Sequence, residues 1–197
     1  MHSAPKRLMK AILQGVSLLL VFVPAALCGF GRWEPVYTVF AHGYSLGPGI
    51  VGDYLRIAYY RLTLAKCSLS SRVSFGSYFA HADSKVGPNV YIGCNCILGK
   101  VTIGQRTQIA SGVQILSGRH QHLRNEAGEI TGSEEGAFTT VTIGPDCWIG
   151  AACVVMADVE SGSTIGAGSV VSRPIPANSV AVGSPARVVR SAQTDAV

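Results

Sequence analysis

Large apolar residues return every six positions along most of this chain, and that spacing rules out the usual elements. Val73, Phe79, Val86, Ile92, Ile97, Ile103, Ile109 and Ile115 form one run, and Ile143, Ile149, Val155, Val159, Ile165 and Val171 form a second. Nine of the thirteen intervals between these fourteen positions equal six, and the others are 7, 5, 4 and 28. An α-helix repeats at about 3.6 residues and a flat strand at about 2, so neither presents such a series on one face. A coil that turns through three sides, with one residue pointing inward from each, presents all of them to a single core. The spacing therefore predicts a parallel β-helix of hexapeptides, with roughly five turns. Intervals of 7, 5 and 4 fit irregular corners, and the 28 marks an insertion between Ile115 and Ile143.

Two further columns keep the same phase. Four residues after the aliphatic position the chain places a small residue or Val in eleven of fourteen cases, among them Ser77, Cys96, Thr107, Cys147, Cys153 and Ser163. Directly after it stand Gly87, Gly93, Gly104, Gly144, Gly150 and Gly166, as expected where a corner strains the backbone. Cys96, Cys147 and Cys153 thus have packing work. Cys94-Asn95-Cys96 lacks the gap of a zinc knuckle and no second pair follows at zinc-site spacing, so free thiols and no metal are expected. Apolar residues make up 48% of the chain and charged ones 14%, which excludes a disordered chain. The net charge is +5, but Lys6, Arg7 and Lys10 place three positive charges in the first ten residues. The body is only mildly basic, so nucleic acid is not an expected partner.

Behind that basic cluster, residues 11–30 carry no charge. A bilayer span needs about 20 such residues, and Pro24 lies within the stretch. Three readings stay open. A cleaved signal peptide has the right basic start, yet Ala25-Ala26-Leu27-Cys28 is neither an Ala-x-Ala site nor a lipobox. A span would hold the amino terminus inside and place the body outside the cytosol. The preferred reading is a re-entrant or interfacial hairpin, broken near Pro24 and continued by the aromatic-rich stretch from Trp33 to Tyr60. Tyr54, Tyr59, Tyr60, Arg56 and Arg61 would then lie at headgroup level, although a plain helix packed on the coil accounts for them equally. The expected division is a membrane-associated segment over 1–34, a helical, aromatic linker or cap over 35–72, the β-helix over 73–190 and a tail over 191–197.

Five motifs follow in order: Val101-Thr-Ile-Gly, then Ile115-Leu-Ser-Gly-Arg-His120 opening the insertion, then Val141-Thr-Ile-Gly-Pro-Asp-Cys-Trp148-Ile-Gly, then Ile165-Gly-Ala-Gly-Ser-Val-Val-Ser, then Val182-Gly-Ser-Pro-Ala-Arg-Val-Val-Arg190. In this order and spacing, residues 97–190 resemble the hexapeptide-repeat acyltransferases, which include galactoside and maltose acetyltransferases and many polysaccharide O-acetyltransferases. The resemblance implies an all-β fold, a left-handed parallel β-helix with an N-terminal helical membrane-associated segment. It also implies acetyl-CoA as acyl donor and a homotrimer with active sites between neighbouring prisms. The first seventy residues resemble the membrane-associated extensions of bacterial surface-polysaccharide acyltransferases. That implies a carbohydrate or lipid-linked sugar acceptor, membrane contact through residues 11–30, and a bacterial cytoplasmic-membrane location with the catalytic part on the cytoplasmic side.

Acyl transfer to a hydroxyl needs a base, donors for the developing oxyanion and a groove for the thioester. Histidine is the natural base near neutral pH. By the resemblance, His120 in Ser117-Gly118-Arg119-His120 is the first choice and His122 the second. The backbone N–H of Ala151 becomes the oxyanion donor. Trp148, Ala167, Ser172, Arg173, Arg187 and Arg190 become coenzyme A contacts, and Asn95 an acceptor contact. Many relatives have Thr-Lys-Asp-Ile-Pro where this chain has Ser172-Arg173-Pro174-Ile175-Pro176, so a rearranged set of phosphate contacts is expected here. Two rivals stand beside this reading. His81, His120 and His122 could hold zinc as in γ-carbonic anhydrases, but only Gln121 separates the last two. A non-catalytic β-helix scaffold is the other.

Overall fold

The chain's repeat closes into a three-sided coil; the computed structural model describes residues 4–118, 125–130 and 138–191. Side A stacks Lys66–Cys67, Lys85–Val86, Val101–Ile103 and Val141–Ile143, and bridges continue it through Val159 and Ile175. Side B stacks Arg72–Val73, Tyr91–Ile92, Gln108–Ile109, Trp148–Ile149, Thr164–Ile165 and Ser179–Val182. Side C stacks Tyr78–Phe79, Ile97–Leu98, Gln114–Ile115, Val154–Val155 and Val170–Val171. All of these pair in parallel, so identical side chains stack: Ile92, Ile109, Ile149 and Ile165 follow one another through the core. The insertion leaves the register intact, since Ile103 pairs with Ile143, Ile109 with Ile149 and Ile115 with Val155.

Thirteen of the fourteen residues read as inward are buried in this core. The exception is Ile97, which is 40% exposed, while Leu98 beside it is fully buried. Leu98 stands six residues after Ile92 and pairs with Phe79 and Ile115, so the short step falls at the following corner, between Leu98 and Ile103.

The glycines after the inward residue have a different cause from the one expected. None of the six has a positive φ. Instead the next coil leaves no room above them: a Cβ on Gly104 would stand 2.3 Å from the Pro145 nitrogen, and one on Gly144 would stand 2.5 Å from the Ser161 nitrogen. The left-handed positions lie a few residues later, at the turns. Along the edge between sides B and C they are Gly76, Asn95, Gly112, Ala152, Gly168 and Gly183.

The small inward column also does more than pack. The Ser77 hydroxyl donates to the Gly93 carbonyl at 2.6 Å and accepts the Cys96 N–H at 2.8 Å. Cys96, Cys147 and Cys153 use their thiols in the same way, donating to Ala110, Glu160 and Gly166 carbonyls of neighbouring coils at 3.1–3.2 Å. Each buried polar atom is thereby satisfied inside an otherwise apolar column.

Three helices cover the amino-terminal end of the coil: α1 (Ala4–Leu27), α2 (Glu34–Ser45) and α3 (Gly49–Thr63). Helix α1 runs through Pro24, and the chain breaks later, where Gly29, Phe30 and Gly31 all take positive φ. Arg56, Tyr59 and Tyr60 are buried in this cap and do not reach a headgroup layer. The Arg56 guanidinium donates to the carbonyls of Val73, Tyr44, Ser45 and Gly47 and to Asp53. The Tyr37 hydroxyl donates to the Phe79 carbonyl at 2.9 Å, and the Gly76 N–H to the Ser45 carbonyl at 2.8 Å. These bonds satisfy the end of the coil that would otherwise present open strand edges. At the other end Arg187–Ser191 turns back antiparallel along Ser179–Val182.

Candidate functional site

Two edges of the prism collect the residues singled out by the sequence. The edge between sides C and A carries the insertion. Its neck is formed by Ser117, Gly118 and Thr139: the Thr139 N–H donates to the Ser117 carbonyl at 3.0 Å, and the Ser117 hydroxyl accepts the Lys100 N–H at 2.8 Å. His120 and His122 lie outside the described residues. Ser172 and Arg173 stand on this same edge two coils further on, Ser172 half-buried and Arg173 exposed.

The edge between sides B and C carries the backbone donors. Ala151 and Ala167 occupy the same corner in consecutive coils, tied by the Gly168 N–H donating to the Ala151 carbonyl at 2.8 Å. Both are exposed, and their own N–H groups meet no acceptor among the described residues. Phe75 and Ser111 repeat this geometry in earlier coils, whereas at the same corner between them the Cys94 N–H donates to the Ser111 hydroxyl at 3.1 Å. Asn95 lies on the edge two coils before Ala151, about 10 Å away at the spacing of stacked strands. It has a φ of 57°, and its side-chain oxygen fills the space over Gly76. Trp148 points outward from side B, 58% exposed, between Gln108 and Thr164 of the adjoining strands. Arg187 is exposed just past Gly183 at the foot of the B/C edge, and Arg190 pairs with Val180 in the closing hairpin.

The structure thus brings Asn95, Ala151, Ala167 and Arg187 to one edge, and Ser172, Arg173 and the root of the His120 loop to another. Side C separates them within one copy. A pair with no signal in the local sequence also stands at the C/A edge. His81 Nδ1 lies 2.7 Å from Glu34 Oε1, across 47 residues, and its ring packs 4.9 Å from Phe138 at the return of the insertion. One nitrogen of His81 is therefore committed to a carboxylate, and no group of three metal-ligating side chains occurs among the described residues.

Four of the six thiols are held in the neutral form. Burial pushes Cys67 up to about 12, and raises Cys96, Cys147 and Cys153 as well, against the lowering effect of their backbone hydrogen bonds.

Comparison with known proteins agrees with this geometry. Residues 83–117 match the family described as bacterial transferase hexapeptide (six repeats), and residues 140–173 match the hexapeptide repeat of succinyl-transferase. The interval between the two matches is the insertion. A Staphylococcus aureus (strain COL) protein, provisionally named an acetyltransferase, is 38% identical over 119 residues, covering 56% of each chain. The galactoside O-acetyltransferase of Escherichia coli (strain K12) is 36% identical over 120 residues, covering 57% of each. This chain therefore spans a little over half the length of the curated relatives it matches. A solved galactoside acetyltransferase in complex with coenzyme A superposes with a TM-score of 0.53 at 25% identity, over 83% of this chain and 82% of that one. The fold is the left-handed parallel β-helix of hexapeptide repeats, and the chain is similar to the acetyltransferases built on it.

Proposed function

We propose that this chain is an acetyl-CoA-dependent acyltransferase that acetylates a carbohydrate hydroxyl, of a polysaccharide or lipid-linked sugar, at a membrane surface. The observation that carries the reading is the pair of open N–H donors at Ala151 and Ala167, stacked on a prism similar to one that binds coenzyme A. Ala151 would donate to the oxyanion, and Ala167 to the pantetheine arm. His120 removes the proton of the acceptor hydroxyl as its oxygen attacks the thioester carbonyl. The imidazolium then returns that proton to the departing coenzyme A thiolate. His122 is the second candidate for this base. Trp148 lies against the acyl donor, Asn95 meets the acceptor, and Ser172, Arg173, Arg187 and Arg190 answer the nucleotide phosphates.

The separation of the two edges supports a homotrimer in this reading. The insertion of one copy would then face the B/C edge of its neighbour, and the site would form between them.

Helix α1 supports the membrane component. Its stretch Leu8–Leu27 is long and apolar enough to cross a bilayer, and only 17% of it is buried. The side turned toward the protein is the narrower one: Gln14, Ser17, Leu18, Val21, Ala25 and Cys28, at helical spacing. Gln14 donates to the Leu69 carbonyl at 2.8 Å, and Cys28 is buried beside the Tyr59 hydroxyl at 3.6 Å. Fastened at points about 21 Å apart along its axis, to the coil at Leu69 and to α3 at Tyr59, α1 lies along the helical cap. This favours an interfacial helix with the prism on the cytoplasmic side, where acetyl-CoA is available.

Release of free thiol from acetyl-CoA, measured with purified full-length chain against a panel of sugar acceptors, tests the activity. Acceptor-dependent turnover is expected. Absence of coenzyme A binding at millimolar concentration would support the scaffold reading, and stoichiometric zinc held by histidine would support the zinc one.

A further inference from the structure

A cleft of about 270 Å³ opens between α1, α3 and the first coil, beside the apolar face of α1. Lys10 enters it from α1, Asp53 and Tyr54 from α3, and Ser70 and Arg72 from the coil, with Ile50 at its lip. Asp53 is shared between two guanidinium groups, Arg56 and Arg72, so its single charge does not offset Lys10. Lys10 meets no carboxylate among the described residues. The cleft is thus electropositive and carries the Tyr54 hydroxyl, while the Ser70 hydroxyl accepts the Asn89 N–H at 3.0 Å and lies 2.9 Å from the Ser68 hydroxyl.

Its surroundings are apolar. Leu8, Met9, Ile12, Leu13, Leu19, Leu20, Val23 and Leu27 leave the outer side of α1 exposed; Ile50 and Val51, each 67% exposed, extend this surface beside the cleft. At the far end Phe30 packs on Phe22 with ring centroids 5.9 Å apart. A helix of this kind rests with its apolar side at the boundary of headgroups and acyl chains. Lys10 and Arg72 then stand at headgroup depth.

We propose that this cleft binds the phosphate headgroup of an anionic membrane lipid, with Lys10 and Arg72 as the cations and Tyr54 as a hydroxyl donor. The proposal rests on the membrane reading of α1. It gives that contact a specific site in addition to the general attraction of basic residues for anionic lipid. The acidic group in the cleft, Asp53, is held by its two arginines and does not face the phosphate unpaired.

The test is flotation of the full-length chain with vesicles of phosphatidylcholine alone, or of phosphatidylcholine mixed with phosphatidylglycerol, at physiological ionic strength. Lys10→Gln is compared with Lys6→Gln, which removes the same charge outside the cleft. Phosphatidylglycerol is expected to strengthen wild-type binding. Lys10→Gln should lose that increment roughly tenfold, as for a lost charge-assisted hydrogen bond. Lys6→Gln should lose about threefold or less, with an unchanged unfolding temperature in both. Equal losses in the two variants would overturn the site. Binding to both vesicles alike would leave the membrane reading standing and overturn the cleft, whereas binding to neither would overturn the membrane reading itself. Inorganic phosphate protecting the cleft, with no effect of phosphatidylglycerol, would assign it to a soluble phosphate and overturn the lipid.

Discussion

The hydrogen bond from the Thr139 N–H to the Ser117 carbonyl, 3.0 Å long, closes the neck of the insertion and fixes where the His120 loop leaves the prism. Between them Gly118 has a φ of 90°, and a Cβ there would stand 2.0 Å from the Thr139 hydroxyl. Gly118→Ala is therefore expected to displace the loop root while the coil stays folded. If His120 is the base, turnover should fall by roughly tenfold to a hundredfold, the scale of a misplaced catalytic group, with coenzyme A affinity little changed. Thr139→Ala added to Gly118→Ala removes the clashing oxygen and should recover part of the rate. Steady-state kinetics and coenzyme A titration on both variants check this.

His120→Ala should lower turnover by about a hundredfold to ten-thousandfold, as for loss of a general base, and leave the unfolding temperature and coenzyme A affinity in place. His122→Ala is the paired measurement. A large loss in His122→Ala with a small one in His120→Ala would transfer the role to His122.

The core was legible because its period is a property of the backbone coil: a misplaced aliphatic would break the stack at once. Ile97 was misread because two adjacent residues, Ile97 and Leu98, are both large and apolar, and only the pairing with Phe79 selects between them. The glycine column was visible while its cause was not, since close approach of the next coil is a contact across sixteen or more residues that composition does not reveal. The same holds for His81 and Glu34, joined across 47 residues. Arg56, Tyr59 and Tyr60 read equally as headgroup residues or as one side of a helix packed on the coil, and the packed helix is what forms; charge and aromatic content alone do not show that four carbonyls wait for the guanidinium. Local sequence carries the repeat; contacts between distant segments carry the cap.

Close approach and left-handed geometry make opposite demands at two corner positions. Gly104→Ala drives a Cβ to 2.3 Å from the Pro145 nitrogen and should destabilise the fold by about 1–3 kcal/mol, as overpacking does. Ala152 has a φ of 56°, so Ala152→Gly relieves a left-handed alanine and should leave stability equal or slightly higher. Urea unfolding of the two variants gives the sign of each.

Alkaline pH should loosen the fold through its buried acids. The buried Cys67 thiol is pushed up to about 12, whereas in the unfolded chain it ionises near 8.5. The stabilisation from keeping it neutral is full below the unfolded value and is lost progressively as pH rises from there toward 12. Burial also raises Tyr37, Tyr59 and Tyr60, which extends the loss to higher pH. The urea midpoint should therefore fall between neutral pH and pH ~10, and less steeply in Cys67→Ala, because one raised group is gone.

The most sensitive residue of the cap is expected to be Arg56. Its side chain is fully buried; its guanidinium pairs with Asp53 one turn earlier on the same helix and holds α3 to the α2–α3 turn and to the first coil at Val73. Arg56→Met leaves Asp53 with Arg72 alone and strips the turn carbonyls of their donor, a change worth about 3–5 kcal/mol by the measure of broken buried pairs. Arg56→Lys keeps the charge but has no planar fork to reach Val73 and Gly47 together, so it should recover only part of this. Because the repeats below are held by their own ladders, the loss should fall first on the helical cap. Amide exchange is expected to rise in α2 and α3 before it rises at Ile149 or Ile165. Equal protection across cap and coil in Arg56→Met would show that the two unfold as one unit.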